Sequence, residues 1–249
     1  MPILPNPQSE LLREPNLLIP GKKPVGAVKI DWEHPLTNGM FCCLLFNQEN
    51  PYNYARGRFE SQTKTTANFG VGADINGQYL HLEDGDRLHI GTENFTGSTH
   101  TLAFIRKRTD ASGSTVPTWA LDTNTAAQTF RCYNPYSNGT VYFDYGGTGS
   151  GHRISFSLGD NLNYEKWVFR AGPRGLAIWV DGVRRAEYTA AAASRTATTA
   201  INFFPYDTQN TGGVVFPLDY YQFLICESEW SDSQIISWSA DPYQFLIPA

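Results

Sequence analysis

"LAIWVDGVRRAEY", Leu176–Tyr188, sets two runs of strand-forming residues around Asp181-Gly182. Asp-Gly suits a two-residue type I′ turn, because both central positions need positive φ, which glycine adopts freely and aspartate tolerates. The stretch is expected to be a β-hairpin. Across the turn Trp179 pairs with Arg184, a cation–π contact worth ~0.5–1 kcal/mol on an exposed sheet face. Directly upstream, "KWVFRAGPRG" (Lys166–Gly175) supplies another strand and a second turn.

The same pattern extends outward in both directions. "GMFCCLLFN" (Gly39–Asn47) is a continuous apolar run bounded by turn formers, as expected of a strand buried on both faces. Cys42 and Cys43 then point to opposite sides. "QYLHLEDGDRLHI" (Gln78–Ile90) reads as a hairpin, with Leu80, Leu82, Leu88 and Ile90 on one face and Tyr79, His81, Arg87 and His89 on the other. "HTLAFIRKR", "TVYFDYG", "INFFP" and "LDYYQFLICE" are further strands, and Arg106-Lys107-Arg108 is expected to be a solvated strand end. One helix is expected in "WSDSQIISWSADP": Ser231 is the N-cap, Gln234 completes a capping box, and Asp241-Pro242 ends it. Ile235, Ile236 and Trp238 give it an apolar surface.

Bulk properties agree. In 249 residues there are 22 glycines and 15 prolines but only 17% charged residues, which favours short strands and many turns over long amphipathic helices. A net charge of −5 argues against nucleic acid as a partner. No secretory signal opens the chain, and no apolar run approaches the ~18–20 residues that span a membrane. The four cysteines form no C-x-x-C pair, so free buried thiols in a protein made in the cytoplasm are expected, without zinc.

Six of the 15 prolines fall in the first 24 residues, which excludes a helix there and leaves an extended path. Residues 1–29 are therefore expected to be a proline-rich arm, and residues 30–249 the folded domain. Fully extended, the arm reaches roughly 90 Å. Its apolar residues Leu11, Leu12, Leu17, Leu18 and Ile19 are candidates for docking on a neighbouring subunit; a tail packed on its own domain, or a disordered one, is the alternative.

Taken in order, these segments resemble a known family. "KWVFRAGPRGLAIWVDGV" is similar to the "WHHVA…G…LYVDGV" segment of laminin-G-like, concanavalin A-like lectin/glucanase domains. "EWSDSQIISWSADPYQFL" resembles the "LSDAEI…LYADPWALF" ending of phage and prophage versions of that fold. "PVGAVKIDWEHPLTNGMFCCLLFN" resembles their opening, and "YLHLEDGDRLHIG" sits where they carry "LDFDGSDDYVDIG". The resemblance implies an all-β, two-sheet antiparallel jelly-roll sandwich with one short C-terminal helix and an extended N-terminal arm.

Fold does not give function, and three readings follow. The first, carried by the resemblance and the arm, is a non-enzymatic bacteriophage virion protein. It would be a head decoration or tail-associated component, made in the host cytoplasm, with other virion proteins or copies of itself as partners. The alternative is a lectin-like module for a host surface glycan, for which Tyr133, Asn134, Tyr136, Asn138 and Tyr145 are the candidate contacts: aromatic faces beside amides suit a sugar. A glycoside hydrolase ranks third. Such an enzyme needs two carboxyls flanking the scissile bond, and the family's E-x-D-x-E pattern is missing; Glu227-Ser-Glu229 comes nearest. No catalytic residues are therefore expected. Glu83, Asp84 and Asp86 around Gly85 are weak Ca²⁺ candidates, since turn chemistry already accounts for them. No other cofactor is expected.

Overall fold

Apolar residues at every second position build two antiparallel sheets that face each other across a shared core. The computed structural model describes residues 21–24, 26–63, 70–83, 86–109, 119–121, 130–136, 138–158, 162–193, 195–203 and 217–249. One sheet runs, edge to edge, through β13 (Arg153–Ser157), β12 (Thr140–Tyr145), β11 (Phe130–Tyr133), β10 (Trp119–Leu121), β17 (Arg195–Phe203), β8 (Arg87–Gly97) and β5 (Ser61–Thr63). The other runs through β16 (Val183–Tyr188), β15 (Gly175–Val180), β14 (Tyr164–Gly172), β9 (His100–Arg108), β18 (Leu218–Cys226), β2 (Met40–Leu44), β3 (Tyr52–Asn53) and β4 (Arg58–Phe59). On this second sheet β7 (Gly77–Leu82) pairs with the start of β18, and β6 (Gly70–Asp74) pairs with β7. All of these pairings are antiparallel, and the chain is an all-β, jelly-roll-like sandwich.

Between the sheets lie Leu80, Leu82, Leu88, Ile90, Phe104, Phe130, Phe143, Trp167, Phe169 and Phe223, all buried. Phe104, Trp167 and Phe169 stack with nearly parallel rings, Trp167 and Phe169 at 5.9 Å and 7°. A second apolar layer covers the far side of the larger sheet. There α1 (Asp232–Ala240) and the two-stranded ribbon of β1 (Val28–Ile30) with β19 (Leu246–Pro248) pack Ile235, Trp238, Val28 and Leu246 on Cys43, Val168, Trp179 and Leu224. The helix has the expected capping box: Ser231 Oγ accepts from Gln234 N and Gln234 Oε1 accepts from Ser231 N. Ile235 and Trp238 face the sheet, while Ile236 faces solvent.

The Leu176–Tyr188 hairpin is β15–β16, with Asp181 at φ 50 and Gly182 at φ 77, as the turn requires. Trp179 does face Arg184, whose guanidinium carbon lies 5.6 Å from the indole centroid. The indole is nevertheless buried, because α1 and its neighbours cover that face.

Two expectations are corrected. Gln78–Ile90 is not a hairpin: β7 pairs with β6 and β18, whereas β8 pairs with β17 and β5 in the opposite sheet. The four apolar residues point inward as expected, but from two facing sheets, and a period of two cannot tell a paired strand from a facing one. Arg106-Lys107-Arg108 is not a solvated end either, since Arg106 and Arg108 are buried and only Lys107 reaches outward to Asp74.

The docking candidates Leu11, Leu12, Leu17, Leu18 and Ile19 lie outside the described residues, as does Asp84. From Gly21 the chain is packed on the domain. Gly21 N donates to Asp241 Oδ1 (3.0 Å), and the buried Lys23 ammonium donates to the Gln78 carbonyl (2.5 Å). No helix among the described residues is long and apolar enough to cross a membrane.

Candidate functional site

On β12, Val141, Phe143 and Tyr145 point into the core, so Thr140, Tyr142 and Asp144 stand on the outer face of the smaller sheet. The same alternation sends Phe130 and Cys132 of β11 inward and Arg131 and Tyr133 outward. Register then aligns the outward residues in rows across three strands. Arg131 pairs with Asp144 and Asp144 with Arg153; Tyr133 pairs with Tyr142.

A turn beyond β11 brings Tyr136 to this face. Tyr136 N donates to Thr140 O (2.7 Å) and Gly139 N to Tyr136 O (2.8 Å), closing the segment, which contains a cis Asn134–Pro135 bond. Three tyrosine rings then meet edge to face. Tyr133 and Tyr136 are 5.3 Å apart at 87°, Tyr136 and Tyr142 5.9 Å at 82°, and Tyr133 and Tyr142 6.4 Å at 89°. Together with Arg153 they line an open pocket of about 210 Å³. That is smaller than the ~300–1,000 Å³ of drug-sized clefts and is scaled to one small ring.

Charges behind the rings fix the pocket. Asp144, fully buried, accepts from Arg153 Nε (2.5 Å), Arg153 Nη2 (2.7 Å) and Arg131 Nε (2.9 Å). The guanidinium carbons lie over rings, Arg153 4.8 Å from the Tyr142 centroid and Arg131 5.4 Å from that of Tyr133. Hydrogen bonding to Asp144 raises Arg153 above its ordinary pKa, with burial opposing, so it stays cationic.

Beneath the pocket, Asn134 points inward and Arg106 reaches it from the other sheet. Arg106 Nη2 donates to Asn134 Oδ1 (2.9 Å) and lies 3.2 Å from Glu165 Oε2, which also accepts from Trp167 Nε1 (3.0 Å). Burial pushes Arg106 down and Glu165 up, and their mutual attraction pulls each back.

Of the glycan candidates, Tyr133 and Tyr136 line the pocket. Asn138 is at its rim, where Nδ2 donates to Tyr142 Oη (3.1 Å). Asn134 is buried and serves Arg106 instead. Tyr145 is on the inner face, fully buried, its hydroxyl 2.5 Å from His100 Nδ1, so it is removed from the surface. Tyr142 and Arg153 were missed by sequence reasoning. Alternation along "TVYFDYG" carries the missing signal, because Tyr142 and Tyr145 differ by an odd number of positions and must face opposite ways.

Glu229 is engaged structurally, with Arg170 Nε at 3.5 Å and Arg174 Nε at 3.2 Å, in a network that ties the end of β18 to Asp232 at the start of α1. Glu227 is exposed beyond β18. In the calcium candidate, Asp86 is buried and its Oδ2 accepts from Glu83 N (3.0 Å), while Glu83 Oε1 lies 3.3 Å from His81 Nε2. Those contacts are turn and ion-pair chemistry. Among the described residues no three His, Cys, Asp or Glu side chains gather as metal ligands.

No family profile matches the chain, and no curated protein does. Solved structures do resemble it. A botulinum neurotoxin serotype D/C binding domain superposes with a TM-score of 0.62 at 12% identity, covering 81% of this chain and 51% of that one. The binding domain of botulinum neurotoxin DC in complex with rat synaptotagmin II gives 0.58 at 10% identity, with 81% and 51% covered. The same binding domain in complex with SialylT gives 0.58 at 10%, with 82% and 52% covered. The chain spans about half the length of these domains. At such identity the likeness establishes the fold alone, a β-sandwich.

Proposed function

We propose that this is a non-catalytic recognition module that binds a saccharide ring in the pocket of Tyr133, Tyr136, Tyr142 and Arg153. The observation carrying the reading is the three-tyrosine pocket on an outer sheet face, backed by a buried carboxylate and a guanidinium. Aromatic faces receive the apolar faces of sugars, and hydroxyl and guanidinium donors orient the polar rim. The neighbours agree with the reading in that they are binding domains and one was solved with SialylT. A virion role rests on the sequence resemblance and on the proline-rich arm, whose docking candidates lie outside the described residues.

Glycan-array screening tests the proposal. The wild type is expected to bind a defined subset of glycans, and Tyr136→Ala and Tyr142→Ala each to weaken that binding roughly tenfold. A uniformly negative array, or unchanged binding by both variants, overturns it. Melting curves of the two variants guard against loss of fold.

A further inference from the structure

The row Arg131–Asp144–Arg153 sets two guanidiniums against one carboxylate. Asp144 has no exposed surface, whereas the side chains of Arg153 and Arg131 are 34% and 23% exposed. Solvent at the pocket therefore meets positive charge, on a chain whose net charge is −5.

The donor inventory points the same way. A guanidinium carries five N–H groups. Arg153 directs Nε and Nη2 at Asp144, and its other donors meet no acceptor among the described residues. Tyr142 Oη accepts from Asn138, which leaves its own proton to donate outward. Asn138 Oδ1 is taken by Thr140 N (3.0 Å). The lining residues include no carboxylate. The one ionic group of the lining is thus a cation with donors to spare, and the lining's only side-chain acceptors are tyrosine hydroxyls, which favours an anion over the O–H groups of a neutral sugar.

We infer that the preferred ligand is an acidic saccharide, one whose ring packs on the tyrosines while its carboxylate or sulfate meets Arg153. The inference rests on the saccharide reading above and narrows it to a substrate class. An anion there forms charge-assisted bonds, while Asp144 behind Arg153 keeps the guanidinium oriented before the ligand arrives.

Matched pairs decide it. ¹⁵N-labelled protein is titrated with galactose and galacturonate, then glucose and glucuronate, with sodium sulfate as a bare-anion control. The expected result is that at least one hexuronate shifts the amides of residues 131–134, 136 and 140–145, binding about tenfold or more tightly than its hexose. Arg153→Gln is expected to bring the pair within about twofold. Should that variant fail to fold, Arg153→Lys keeps a cation against Asp144 but loses the planar fork, and is expected to lose most of the preference. Equal affinity for acid and neutral partner overturns the inference while leaving the saccharide reading standing. No shift with any of the four sugars overturns the inference, and the glycan array then judges the broader reading separately. Sulfate binding as tightly as hexuronate marks a bare anion site and also overturns it.

Discussion

Arg106 on β9 and Asn134 beyond β11 belong to different sheets, and their side chains meet at 2.9 Å inside the sandwich. The bond lies between Tyr133, at the end of β11, and the turn that carries Tyr136. Arg106 also satisfies Glu165, so one guanidinium ties a buried carboxylate to the floor of the pocket.

Arg106→Met is expected to destabilise the domain by about 3–5 kcal/mol, since it takes the Arg106 guanidinium away from a buried carboxylate. Asn134→Ala is expected to cost about 1–3 kcal/mol and to weaken ligand binding as the tyrosine loop loosens. Urea unfolding of each variant checks this. A loss under about 1 kcal/mol for Arg106→Met would show that the pair contributes little.

His81 makes stability depend on pH. It lies between Asp219 (2.6 Å) and Glu83 (3.3 Å), and the bond to Asp219 raises its pKa, with burial opposing. A raised folded pKa gives stability that is fully present below the ordinary value of ~6.5 and is lost as pH rises through the folded value. The stability difference between wild type and His81→Gln is expected to shrink from pH 6 to pH 9. Growth of that difference with pH would contradict the assignment.

Lys23 has the opposite sign. Burial lowers its pKa from 10.5 to about 7, so between those values the unfolded chain binds the extra proton and stability rises with pH. Denaturation of wild type and Lys23→Met across pH 7–10.5 is expected to show the wild type gaining relative to the variant.

The cysteines are expected to be inert. Cys42, Cys43, Cys132 and Cys226 are fully buried and burial pushes all four thiols up, which suppresses the reactive thiolate. A thiol-reactive dye is expected to label none in the native state and all four after denaturation. Rapid labelling of the native protein would refute this.

At the β14–β15 turn, Gly175 has φ +96, and a Cβ there would fall 1.7 Å from the Tyr188 carbonyl oxygen. Gly175→Ala is expected to cost more than the ~1 kcal/mol of an unfavourable φ alone, because β16 must move. Thermal melting measures it, and a shift within error would show that the turn relaxes freely.

Local chemistry was legible where it is self-contained. Asp181-Gly182 specified its turn, Ser231 and Gln234 their capping box, and "GMFCCLLFN" a strand buried on both sides. What a strand faces is decided by residues far away in sequence. Leu82 and Leu88 therefore looked like hairpin partners although the chain crosses between sheets after Glu83. Arg106 looked solvated because Glu165 and Asn134, its reasons for being buried, lie 59 and 28 positions away. The site was half legible for the same cause: Tyr133 and Tyr136 are close in sequence, but Arg153 joins them only through the register of β12 with β13.

The β1–β19 ribbon has a geometric corollary for presentation. Ala249 N donates to Ala27 O (3.2 Å) and Gly21 N to Asp241 Oδ1 (3.0 Å), so the first and last described residues emerge near the ribbon and the end of α1. They do so on the layer covering the larger sheet, whereas the tyrosine pocket opens from the outer face of the smaller one. Anything joined after Ala249 thus holds the sandwich from behind, with the pocket displayed on the opposite side, two sheets away from the point of attachment.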